Sequence, residues 1–428
     1  MENQKVMNRG LVVLGAILIQ LALGAIYAWS VFTPSLAEAG WTRTETQIVF
    51  AVGLASFAVF MVFAGKKLKT WGPRNLAIIG GLVLGLGYFL AGLIGGTSFW
   101  ALVILIGLIG GAGIGFAYVV PIAVGMQWFP DKKGMITGLA VAGFGFGALL
   151  WVKLAGAWGH LIANLGLGTT FWIYGLAFGV MVIIGGIWMV FPPSGYKPKG
   201  YVPPEVKDDQ KKAVGAVDFT SNEMLRTPQF YLIFLTFVFS AGAGLMSIGL
   251  MKLYPIEALQ AQGMGFAEAS AIAGTAMAVF FSLANGLGRI IWGMLSDKLG
   301  RKTSILIMTA TQGVIVILFN FMAGHEILLY VGATLIGFNF GGNFALFPTI
   351  TADTFGAKNV GQNYPFIFLA YGVGGILGPI LGGALGDVGN FALAFTITGV
   401  AVLVGTLLTA MVKPATRERA AKETPKMA

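Results

Sequence analysis

The chain contains no cysteine, which excludes disulfides, cysteine-ligated metals and thiol catalysis. Histidine is nearly absent: His160 and His325 leave little for a metal site or a histidine relay. Charge is scarce too. Charged residues make up 10% of the chain, against about 25% in an average soluble domain. With so little polar material, a soluble protein of 428 residues could not cover its core. An ordinary soluble enzyme, a disordered chain and a nucleic-acid-binding domain are therefore excluded. No nucleic acid and no cofactor is expected as a partner. What fills the sequence is apolar: 57% is hydrophobic and the mean hydropathy is +0.83. That is the composition of a polytopic membrane protein whose solvent is the lipid bilayer.

A membrane-crossing helix needs about 20 apolar residues. Twelve such segments are predicted, at 10–33, 46–64, 75–95, 99–123, 134–158, 169–191, 229–251, 268–293, 303–323, 327–350, 361–386 and 391–412. The shortest connections fall around 95–99 and 323–327. The first segment is too long for a signal-peptide core and reads as a retained helix. The 64 glycines lie mostly inside these runs, where small residues let helices approach closely in lipid.

With both termini placed in the cytoplasm, 23 of the 27 basic residues fall on cytoplasmic segments. Arg43 alone lies on the opposite side, and Lys153, Lys252 and Arg289 lie within or at the ends of spans. The excess of +10 thus reads as a topology signal, not as a polyanion site. Residues 192–228 form the one long polar stretch, with Pro-Pro twice and the run Lys207-Asp208-Asp209-Gln210-Lys211-Lys212. They read as a flexible cytoplasmic linker, with a lipid-binding patch as the other reading of the lysines. The expected organisation is a six-helix half over 1–191, the linker, and a second six-helix half over 229–428 with a basic tail.

The halves share features at a nearly constant offset. Pro121 recurs as Pro348, Phe129 and Lys132 as Phe355 and Lys358, and Gly145-Phe146-Gly147 as Gly372-Val373-Gly374. Gly65 and Gly72 recur as Gly293 and Gly300. A duplicated six-helix unit with parallel repeats explains them together. The fold class is therefore an all-α membrane protein of twelve transmembrane helices in two pseudo-symmetric halves.

The loop after segment 8 reads Gly293-Met-Leu-Ser-Asp297-Lys298-Leu-Gly300-Arg301-Lys302. It resembles the signature of the major facilitator superfamily, a glycine, an acid and basic residues at fixed spacing. The resemblance implies a gating role for Gly293, Asp297 and Arg301. The matching stretch Gly65 to Arg74 keeps the glycines but has Lys69 where the acid belongs. A narrower resemblance, over most of the chain, is to the oxalate/formate antiporter family, which includes bacterial carriers of lactate and pyruvate. It rests on Ala25-Ile-Tyr27-Ala-Trp29-Ser30, Trp128 to Gly134, Glu223 to Phe230, Asn285-Gly-Leu-Gly-Arg289, Phe338 to Pro348 and Asn363-Tyr364.

Arg289 stands out without any family. It lies about two turns before Asp297, and a buried arginine costs several kcal/mol unless it is paired or faces water. No Asp or Glu occurs in 269–296. Asn285 is four residues earlier on the same helical face. A guanidinium fork suits both oxygens of an incoming carboxylate. A snorkelling arginine, or one paired with an acid from another segment, is the competing reading. The resemblance makes Arg289 the substrate-binding arginine. It also associates oxalate transport with a second cation in segment 11, where this chain has Tyr371. One fixed cation suits a monoanion, because a second negative charge would stay unpaired in low dielectric. Tyr27, Tyr118, Phe340 and Phe344 match aromatic pocket positions of that family, with plain packing as the alternative for each. Lys153 reads as snorkelling or as an entrance cation, and Lys252 as an outer-interface residue.

The expectation is a multi-pass protein of the inner membrane, acting as a monomer. It carries a small monocarboxylate, lactate or pyruvate, in symport with a proton by alternating access about a site near the midplane. The alternatives are an oxalate/formate-type exchanger and, in a different class, a carboxylate receptor that does not transport. An enzyme is disfavoured, since no Ser/His/Asp set, metal cluster or phosphate loop is present. The animal monocarboxylate carriers, as the resemblance has it, place an Asp where Asn285 stands here, so no proton-carrying residue is identified.

Overall fold

The computed structural model describes residues 7–41, 43–156, 158–198, 218–251, 253–413 and 415. In lipid a backbone N–H or C=O finds no water, so each spanning segment must close its hydrogen bonds within its own helix. Among the described residues, twelve helices are long and apolar enough to cross a membrane. They are α1 (Arg9–Trp29), α2 (Ile48–Trp71), α3 (Pro73–Leu93), α4 (Phe99–Trp128), α5 (Lys133–Ala155) and α6 (Leu161–Ile187). Then come α7 (Pro228–Leu250), α8 (Phe266–Leu299), α9 (Arg301–Met322), α10 (Glu326–Phe355), α11 (Ala357–Gly386) and α12 (Phe391–Met411).

The apolar runs locate all twelve but misplace several ends. Helices α2, α8 and α10 run on past the predicted limits 64, 293 and 350, through Lys66–Lys69, Asp297–Lys298 and Asp353. Helical bonding does not stop where apolar side chains do. Helix α6 begins eight residues before the predicted 169, because the helical turns continue across a break at Gly166 with φ 77°. The expected loop at Gly293–Lys302 is a corner: α8 ends at Leu299, Gly300 turns at φ 85°, and α9 begins at Arg301. Gly72, with φ 78°, makes the same corner between α2 and α3. No side chain but glycine adopts that backbone without strain.

The chain divides into two units, Met1–Val202 and Pro203–Ala428. The division falls inside the predicted 192–228 linker, of which 199–217 lie outside the described residues. In the first unit α1 packs on α5, α2 on α4, and α3 on α6. The second repeats the pattern six helices on: α7 on α11, α8 on α10, and α9 on α12. Glycines make these contacts close. A Cβ on Gly175 would lie 2.5 Å from the Gly85 carbonyl of α3. Pro121 in α4 and Pro348 in α10 sit inside their helices at the repeat offset.

Candidate functional site

The site residues of the second unit are assembled by α8, α10 and α11. Helix α8 widens into π-type turns at Ala276–Phe281, just ahead of Ser282; such turns recur at functional sites. Asn285 and Arg289 follow one turn apart and are 4% and 0% exposed. Arg289 Nε donates to Asn285 Oδ1 at 3.2 Å. The guanidinium carbon lies 4.1 Å from the ring centroid of Phe344 on α10, a cation–π contact. That contact needs two backbones in near touch. A Cβ on Gly341 would collide with the Asn285 carbonyl, one on Gly288 with the Phe338 carbonyl, and one on Gly337 with the Phe281 carbonyl.

Aromatic rings continue from Phe344. Its centroid is 5.3 Å from Phe340 and 5.5 Å from Tyr371 of α11, and Tyr371 stacks on Phe368 at 5.0 Å. Tyr371 and Phe340 are fully buried. Phe340 also fills the space beside Gly244 of α7, so packing accounts for part of its role. The structure therefore gathers Asn285, Arg289, Phe340, Phe344 and Tyr371 into one cluster. In the first unit Tyr27 and Tyr118 share a neighbour, Phe144, at 5.0 and 5.5 Å, and Tyr118 meets Phe57 at 5.0 Å. Gln20 Nε2 donates to the Tyr118 carbonyl at 3.3 Å. Phe57, Phe144 and Gln20 are absent from the sequence-based set.

Sequence reasoning also missed a buried polar triad. Gln312 Nε2 of α9 donates to the Ser240 carbonyl at 3.0 Å, so Gln312 Oε1 is the acceptor for the Ser240 hydroxyl at 2.7 Å. The Asn343 side-chain amide lies 2.8 Å from the same hydroxyl. One hydroxyl carries one hydrogen, so Asn343 must turn its NH2 towards Ser240 and donate. The triad pins α7, α9 and α10 together. Polar side chains inside apolar spans were its only sequence signal.

The predicted gating residues form an ionic corner. Arg301 Nη2 lies 2.6 Å from Asp297 Oδ1, and Arg301 Nε lies 3.1 Å from Asp353 Oδ2. Arg301 also donates to the Ser296 hydroxyl, and Gly293 is buried on α8. The α8–α9 corner is thereby tied to α10 through Asp353, which the motif alone does not contain. Lys153 is half-buried in the last turn of α5. Lys252 and the side chain of Arg43 lie outside the described residues.

Comparison with known proteins matches the family model "Major Facilitator Superfamily" to residues 12–280 and 260–428. The chain is 28% identical over 405 residues to the oxalate:formate antiporter of Oxalobacter formigenes, covering 94% of this chain and 90% of that protein. It is 25% identical over 384 residues to apicoplast pyruvate carrier 1 of Toxoplasma gondii, covering 79% and 69%. The solved structure of the proton:xylose symporter XylE superposes with a TM-score of 0.67 at 14% identity, covering 96% of this chain and 98% of that one. That likeness is one of fold. A twelve-helix duplicated bundle, matched along both units by one family model, belongs to the major facilitator superfamily of membrane transporters.

Proposed function

We propose that this transporter carries small monocarboxylates, lactate or pyruvate first, across the cytoplasmic membrane by alternating access. The observation that carries the reading is the posed guanidinium of Arg289. Asn285 holds its Nε edge and Phe344 covers one face, so its orientation is set before a substrate arrives. The Nη1–Nη2 edge matches the two oxygens of a carboxylate. Phe344 over its face leads on to the rings of Phe340 and Tyr371. Such surroundings suit one carboxylate bearing a small apolar tail. A second carboxylate would enter low dielectric without a fixed partner. The relatives support the coarser class, small organic acids: one is an oxalate:formate antiporter and another a pyruvate carrier.

Within the first unit, Tyr27 and Tyr118, the pocket positions that the resemblance implies, pack edge-on against Phe144. Asn285 stands one turn from Arg289 and cannot hold a proton. Charge neutrality is then met by a proton entering with the substrate, which makes the cycle a symport. The distribution of basic residues supports a cytoplasmic side for both termini. Gly293, Asp297, Arg301 and Asp353 act as the gate, an ion-paired corner that opens and closes with the cycle. An oxalate/formate-type exchanger is the second reading, favoured by the antiporter among the relatives.

Reconstituted vesicles test this. Labelled lactate, pyruvate, formate and oxalate are offered with and without an inward pH gradient or an internal exchange anion. Lactate or pyruvate uptake that rises with the pH gradient is expected. Oxalate exchange indifferent to that gradient, without lactate uptake, replaces symport by exchange. Saturable binding with no vesicular uptake makes the protein a receptor.

A further inference from the structure

Three stretches carried the family resemblance without entering the substrate site: Trp128–Gly134, Glu223–Phe230 and Asn363-Tyr364. The structure gives the last two a common purpose. The chain ahead of α7 is docked on the corner between α10 and α11. Phe219 is buried and its ring lies 5.9 Å from that of Phe355. Phe219 N–H donates to the Phe355 carbonyl at 2.9 Å. The Phe219 carbonyl accepts from two side-chain amides, Asn359 Nδ2 at 2.8 Å and Asn363 Nδ2 at 3.0 Å. Ser221 Oγ donates back to Asn363 Oδ1 at 2.9 Å, and Lys358 N–H donates to Asp218 Oδ1 at 3.3 Å.

The docked piece is itself braced. Thr220 and Glu223 form a reciprocal capping box, with Thr220 N–H on Glu223 Oε2 at 2.7 Å and Glu223 N–H on Thr220 Oγ1 at 3.3 Å. Met224 is fully buried. Asn363 is fully buried as well, with both ends of its amide engaged.

The place of these bonds along α11 matters. Pro365 lies inside α11 and has no N–H, so the Gly361 carbonyl loses its partner four residues on. Asn359 and Asn363 lie before that break, and Tyr371 lies after it. The first turn of α11 is thus bonded more firmly to residues 218–224 than a plain helical turn would be, while its joint to the remainder of α11 is weakened.

The first unit makes the matching attachment by other means. Arg9, the first residue of α1, lies 4.7 Å over the ring of Phe129 and 3.5 Å from Asp131. Phe129 is the repeat counterpart of Phe355, and Thr137 that of Asn363. The Thr137 hydroxyl is buried without a hydrogen-bond partner. The amide clamp therefore belongs to the second unit and is not a by-product of the repeat.

We propose that residues 218–224 are a latch: clamped by Asn359 and Asn363, they move with the first turn of α11 as one body about Pro365, and this coupling sets the turnover of the transporter without touching its affinity for substrate. Asn363 is then a positioning residue.

Because the chain has no cysteine, Met224→Cys gives a single thiol for labelling in the full-length, reconstituted protein. The latch predicts slow maleimide labelling at 224, whether or not the transporter is cycling. Adding Asn363→Ala raises the labelling rate at least tenfold. In the same variant the maximal rate of uptake falls at least fivefold while KM stays within twofold. Uptake is measured with whichever of lactate, pyruvate, formate or oxalate the parent takes up, so failure of the substrate assignment does not touch this test. Should Asn363→Ala not fold, Asn359→Ala, which removes one of two bonds to the same carbonyl, supplies the comparison. Faster labelling with an unchanged maximal rate reduces the contact to chain anchoring and overturns the proposal. A lower rate without faster labelling, or a KM that moves in parallel, also overturns it.

Discussion

The two units share one helix-packing scheme and differ in what they bury along it. The second holds a guanidinium with Asn285 and Phe344, a Ser240–Gln312–Asn343 triad, and the amide clamp at Phe219. The first holds mainly rings: Tyr27 and Tyr118 edge-on to Phe144, and Tyr118 edge-on to Phe57. The contrast extends to one matched pair of corners: at α4–α5 the first unit uses an ionic pair with Arg9 partly exposed, and at α10–α11 the second uses buried amides. Duplication copied the backbone scheme, which glycine contacts enforce. Under the proposed function the divergence has a reason: a monoanion needs one fixed cation, and Arg289 supplies it within the second unit.

Predictions that strain this asymmetry run from large to small. Arg289→Gln removes the only charge of the cluster and should cut uptake on the order of 100-fold, as loss of a buried hydrogen-bonded charge does. The melting temperature, read alongside, should hold. Tyr371→Lys adds a second cation beside Phe344 and should move preference towards oxalate by about tenfold in competition uptake. Gly341→Ala forces α10 off the Asn285 carbonyl. It should cost about 1–3 kcal/mol of stability, seen as a lower thermal unfolding midpoint, and should weaken uptake with it. Asn285→Ala frees the Nε edge of Arg289 and loses about 1 kcal/mol of orientation, which reads as a roughly fivefold higher KM. Tyr118→Phe keeps the ring and removes a hydroxyl in the unit without the cation. A change of less than about threefold is expected there; a loss as large as that of Arg289→Gln would erase the asymmetry.

Much of this was legible in the chain. Apolar runs locate twelve spans because lipid demands them, and the Asn285–Arg289 pair follows from helical spacing alone. The extensions of α2 through Lys69 and of α8 through Asp297 were not legible, since a helix continues past its apolar face as long as its own hydrogen bonds close. The ring of Phe344 beneath Arg289 depends on Gly288, Gly337 and Gly341 bringing two backbones together. A glycine in a sequence announces close approach but not the partner. Asp353 on Arg301, and Phe219 under Asn363, join residues 52 and 144 positions apart, and no local pattern encodes either pairing.

The central claim is that Arg289 of the second unit holds a single carboxylate. Direct titration of purified parent and Arg289→Gln protein with lactate, pyruvate and oxalate, followed by calorimetry, tests it without the transport cycle. The account predicts saturable binding of lactate or pyruvate by the parent, weak binding of oxalate, and no measurable binding of any of them by Arg289→Gln at an unchanged melting temperature. Equal lactate or pyruvate affinity in the two proteins would contradict it.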